Sequence, residues 1–82
     1  MKATLTPSWE LTTEHALSSG GKPVLVNLTT GEAFGPGDLV RVSEHKGMIP
    51  AALVVRRLAQ AAELDTAERA LVARFIGLLS AA

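Results

Sequence analysis

The sequence predicts an α+β domain: a small antiparallel sheet of two or three strands, a short N-terminal helix and a C-terminal helical hairpin. Three observations point there. Apolar residues recur with period two between Pro23 and Val42, and with helical period between Pro50 and Ser80. Within the first block lies Gly35-Pro36-Gly37-Asp38, the strongest breaker in the chain.

Lys2 to Thr6 alternates weakly and reads as a short strand or extended arm, ended by Pro7, which donates no backbone hydrogen bond. Thr12 or Thr13 is placed to N-cap a short helix running to Ser18, with Gly20-Gly21 as its stop. Trp9 or Leu11 then packs back on that helix as a staple. From Pro23 onward Val24, Val26 and Leu28 point to one face and Leu25, Asn27 and Thr29 to the other. Thr30-Gly31-Glu32 is turn chemistry, and Ala33-Phe34 starts a return strand. Leu39 to Val42 resumes alternation as one further strand, with Val40 and Val42 inward and Arg41 outward.

Pro50 suits the first turn of a helix, where its missing N–H is no loss. Val54, Leu58 and Ala61 make the inward stripe of that helix, flanked by Leu53 and Ala62, while Arg56, Gln60 and Glu63 make its wet face. Asp65 and Glu68 form an acidic variant of the capping box and start a second helix. Leu71, Val72, Phe75, Ile76, Leu78 and Leu79 share one broad face of it, with Arg69, Ala73 and Gly77 opposite. So short a connection makes the two helices neighbours. The expected core is Val24, Val26, Leu28, Val40, Val42, Val54, Leu58, Leu71, Val72, Phe75 and Leu79.

The totals narrow the function classes. Residues 1–82 are expected to be a single domain or a fragment of one, and a chain of this size buries only about 60% of its unfolded surface. Cysteine is absent, which removes disulfides and thiolate metal sites. The formal net charge is zero, so no global field draws in nucleic acid or an anionic membrane. Residues 1–40 are nonetheless net acidic (Lys2 and Lys22 against Glu10, Glu14, Glu32 and Asp38). The remainder is net basic. Met1-Lys2 opens no basic n-region and apolar run, and Ala51 to Val55 is far short of a membrane span. The expected location is the cytoplasm, with no membrane contact.

No motif points to catalysis, a cofactor or a metal. Glu14-His15 and Glu44-His45 sit in different elements, and their spacing does not bring them together as a zinc site. Ser18, Ser19 and Ser43 lie near histidines but lack an oriented base and oxyanion donors. Gly31 to Asp38 is glycine-rich without the lysine and hydroxyl of a P-loop, and reads as turns.

The run from Leu58 to Arg69 resembles the helix-turn-helix pattern of bacterial DNA-binding regulators, over about twenty residues. That resemblance implies a DNA-binding regulator using residues 58–74, with Thr66, Ala67, Arg69 and Arg74 reaching bases or phosphates. The chain departs from the pattern at Glu63, where the family has glycine, and at Arg69, where it has an apolar anchor.

The leading expectation is a non-enzymatic interaction or regulatory module acting through protein–protein contacts, with itself as one partner in a homodimer. Ala70, Ala73 and Gly77 put small side chains on the outer face of the last helix, a seam that lets another backbone approach. Trp9 has two readings, a core plug or an interface anchor.

Overall fold

The computed structural model describes residues 2–14, 21–42 and 46–81, apart from the side chains of Ser80 and Ala81. The chain is α+β, with a four-stranded antiparallel sheet, a separate two-stranded ribbon and two helices.

The large sheet is a meander of β1 (Lys2–Thr6), β2 (Trp9–Thr12), β3 (Val24–Asn27) and β4 (Ala33–Phe34), in chain order. Its register sets Ala3, Leu11, Leu25 and Phe34 in one row across all four strands. The first three of these are fully buried. An irregularity between Thr4 and Thr6 inserts Leu5 as an extra residue of β1, and Leu5 joins the same core.

Strand β2 corrects the expectation for this stretch. Trp9 and Leu11 pair in a sheet instead of stapling a helix, and Thr12 is the last strand residue. The Thr12 hydroxyl does accept a bond from the Glu14 N–H (3.0 Å), a turn contact. Most of the expected helix, residues 15–18, falls at 15–20, outside the described residues.

Strand β3 corrects the expected parity. Leu25 faces the helices beside Leu11, while Val24 and Val26 are buried on the reverse of the sheet, outside the helix-covered cluster. Leu28, expected inside, is 47% exposed. The Asn27 side-chain oxygen accepts from the N–H groups of Thr29 (2.9 Å) and Thr30 (3.4 Å) and pulls Leu28 out of the strand. Gly31 completes the turn at φ +77°, a conformation that a side chain disfavours.

After Phe34 the chain leaves the sheet. The Gly35 N–H donates to the Asp38 carboxylate (2.7 Å) and the Asp38 N–H to the Gly35 carbonyl (3.2 Å), closing the expected turn. Strand β5 (Leu39–Arg41) then pairs with β6 (Met48–Pro50) as its own ribbon and is not a third strand of the main sheet. Val40 and its partner Ile49 face the core, which turns Leu39 and Met48 to solvent.

Helix α1 (Ala51–Ala61) follows directly, and Pro50 offers no side-chain cap. Its first amides are satisfied by the preceding turn: Ala51 N–H donates to the Asp38 carbonyl (2.8 Å) and Ala52 N–H to the Pro36 carbonyl (3.1 Å). That anchorage rotates the helix from the expected stripe. Ala51, Ala52, Val54 and Val55 are buried, Leu58 is half-buried, and Leu53 and Ala61 are exposed. Arg56, Gln60 and Glu63 are exposed as expected.

Helix α2 (Thr66–Ala81) starts with both bonds of the capping box: Glu68 N–H to the Asp65 carboxylate (2.7 Å) and Asp65 N–H to the Glu68 carboxylate (3.1 Å). Leu71, Val72 and Phe75 are buried against β1, β2 and α1. Leu79 is 40% exposed because it lies past the sheet, with its Cδ1 over the Gly37 turn. The Cα radius of gyration, 11.6 Å, matches the value of about 12 Å for a compact chain of this length. No helix among the described residues is long and apolar enough to cross a membrane.

Candidate functional site

One cleft combines concavity with hot-spot chemistry. Trp9 forms its wall; Val42, Ile49, Val54 and Leu58 form its floor; Arg41 and Arg57 stand at its rim. The fold assembles it from three places. Strand β2 brings Trp9 to the helix-facing side of the sheet, the ribbon brings Arg41 and Ile49, and α1 brings Val54, Arg57 and Leu58.

Trp9 is half-buried, between its two expected readings. It packs on the core cluster and also walls the cleft. Phe34 braces it from the sheet side, with ring centroids 6.3 Å apart and planes tilted by 47°. Among the described residues no hydrogen bond engages the indole N–H, and no buried side-chain nitrogen lacks a partner. The indole N–H therefore meets solvent and is available as a donor.

The cleft measures about 210 Å³. Small-molecule sites run from about 300 Å³ upward. It is the size for a single side chain. A second hollow, lined by Ile49, Leu53, Arg56, Arg57 and Gln60, shares Ile49 and Arg57 with the first. The two make one band bearing three guanidinium groups, and no carboxylate lines either among the described residues. Guanidinium stays charged and donates hydrogen bonds in a planar fork, a chemistry that suits carboxylates and other anions.

No protein-family model, curated protein or solved structure matches this chain. Its functional reading rests on the residues themselves.

The other expected sites fall elsewhere. Ala70, Ala73 and Gly77 are all exposed on α2, and nothing lies within 4 Å of a Cβ built on Gly77. Thr66, Ala67, Arg69 and Arg74 are exposed too. Ala73 and Arg69 share a trough between the helices, floored by Val72, Ile76 and Leu64. Arg74 is turned away from it and donates to the Gly21 carbonyl (3.4 Å), tying α2 to the segment before β3. His15, Ser18, Ser19, Ser43 and His45 lie outside the described residues, and among the described ones no three acidic or histidine groups cluster as metal ligands.

Apart from Trp9, the sequence reading passed over the cleft. Two signals were present. Trp9-Glu10-Leu11-Thr12 alternates as a strand does, and Arg56-Arg57 follows closely on Leu53, a flank of the expected inward stripe that is exposed.

Proposed function

We propose that this chain is a non-enzymatic interaction module that works through protein–protein contacts at the Trp9 cleft. One observation carries the reading: a half-buried tryptophan beside an apolar floor, with guanidinium groups at the rim. Tryptophan and arginine dominate the binding energy of protein interfaces, most of all where they border a pocket that excludes water. Exposed Leu53 and Met48, on α1 and the ribbon, add apolar area at this end of the molecule. The cytoplasmic location expected from the sequence belongs to the same proposal.

The test is selection of a displayed random-peptide library on the immobilised full chain, repeated with Trp9→Ala. The reading predicts enrichment on the wild type and its loss on the variant. Enrichment that ignores Trp9, or none at all, overturns it.

Self-association is a second reading, favoured by the exposure of Ala70, Ala73 and Gly77 and by the trough that Ala73 borders. It predicts a dimer mass in light scattering and a monomer for Ala73→Glu. A monomeric wild type at tens of micromolar rejects it. The helix-turn-helix reading keeps one support, the exposed first turns of α2 at Thr66, Ala67 and Arg69. Against it stand the neutral chain and the bond that draws Arg74 to Gly21. Absence of salt-sensitive binding to mixed duplex at low salt ends it.

A further inference from the structure

We infer that a second copy of this chain pairs with the outer edge of β1 and extends the sheet across a two-fold axis. This contact is separate from the Trp9 cleft and from the α2 face. The four-stranded sheet runs in chain order, so β1 and β4 are its two edges. Edge β4 offers only Ala33 and Phe34 before Gly35-Pro36, and proline brings no donor to a ladder. Edge β1 is five residues long and free of proline. Alternate N–H and C=O groups of such a strand point away from its one neighbour. Among the described residues, the backbone of Lys2 to Thr6 makes no hydrogen bond outside its ladder with β2. Edge groups of this kind are a template for one chemistry, an extended strand.

Side-chain charge selects which strand fits. The irregularity between Thr4 and Thr6 leaves Lys2, Ala3 and Thr4 as the regular stretch of the edge. Lys2 and Thr4 are exposed, on the same side of the sheet as Glu10, the ladder partner of Thr4. Antiparallel pairing centred on Ala3 sets Lys2 of each copy opposite Thr4 of the other. One row then runs from Lys2 of one copy over Thr4 to Glu10 of the other. Two strand spacings, about 10 Å, separate the two backbones. A lysine and a glutamate side chain close that gap above the short threonine, and the symmetry makes the contact twice. A lysine on an edge deters most strands. Here the acid one strand inward turns that deterrent into selection for a second copy of the same sequence. So short a paired stretch buries little area, which makes the dimer weak.

The experiment is sedimentation equilibrium of the full chain, from tens of micromolar into the millimolar range. The wild type is expected to dimerise reversibly. Lys2→Glu and Glu10→Lys, each checked for its fold by circular dichroism, are each expected to weaken the dimer roughly tenfold, because the symmetry doubles every charge reversal. The double variant Lys2→Glu/Glu10→Lys is expected to recover the wild-type constant to within about twofold. The chain has no cysteine, so its register is open to cross-linking. Lys2→Cys mixed with Thr4→Cys under mild oxidation is expected to form a disulfide dimer far faster than either variant alone. A chain that stays monomeric throughout the range overturns the inference. So does a dimer indifferent to both charge reversals, or a double variant weaker than the singles. If Ala73→Glu abolishes such an indifferent dimer, the contact belongs to the α2 face instead. Cross-linking no faster in the mixture than in the separate variants overturns the register and the inference with it.

Discussion

The two ends of the molecule use the same apolar residue types in opposite ways. Where α2 lies on the sheet, Phe75, Leu11 and Leu25 are fully buried. Where the ribbon meets α1, Leu39, Met48 and Leu53 are each about half exposed and stand near Arg41, Arg56 and Arg57. A chain this small has little apolar area to spare for stability. On the interaction reading proposed above, the leucines and methionine left wet at that end belong to the contact surface. The closed end holds the fold, and the proposal places binding at the open end.

The contrast breaks most easily at the closed end. Phe75→Ala is expected to cost about 3–5 kcal/mol, a loss on the scale of the whole stability of a small domain, read from urea unfolding. Leu25→Ala follows at about 2–5 kcal/mol, because Leu25 sits mid-row between Leu11 and Phe34. A small loss at Leu25 shows that β3 has the parity first expected, with Val24 and Val26 toward the helices.

How much of this was legible differs between the ends in the same way. The helix pair and its Asp65–Glu68 box are local, and the sequence reading placed both correctly. The hairpin around Gly31 was legible for the same reason. Strand parity in β3 was not, because Val24, Leu25 and Val26 are all buried and a strand apolar on both faces carries no alternation to read. Strand β6 was missed because Met48–Pro50 pairs only with Leu39–Arg41, a partner that local periodicity does not show, and Pro50 reads equally well as a helix start. The rotation of α1 depends on the carbonyls of Pro36 and Asp38, which accept from its first amides and belong to a loop that local periodicity does not see. The cleft inherits the last two misses, and that of β2, since it needs β2, the ribbon and the rotated helix together.

Smaller effects sharpen the comparison. Asp65→Ala removes one half of the capping box and is expected to cost about 1 kcal/mol, visible as a lower urea midpoint. Met48→Ser and Leu53→Ser, at the open end, are expected to change unfolding free energy by no more than about 0.5 kcal/mol. Values near those of Leu25→Ala place these side chains in the core and remove the distinction between the ends.

The most direct measurement uses Trp9 as its own reporter, with anionic and cationic quenchers of its fluorescence. Half-exposed beside Arg41 and Arg57, it is expected to be quenched by iodide more than by caesium at low salt. The preference should shrink with added salt and disappear in urea. Equal quenching by the two ions, or a tryptophan shielded from both in the folded chain, contradicts an open basic cleft at this position.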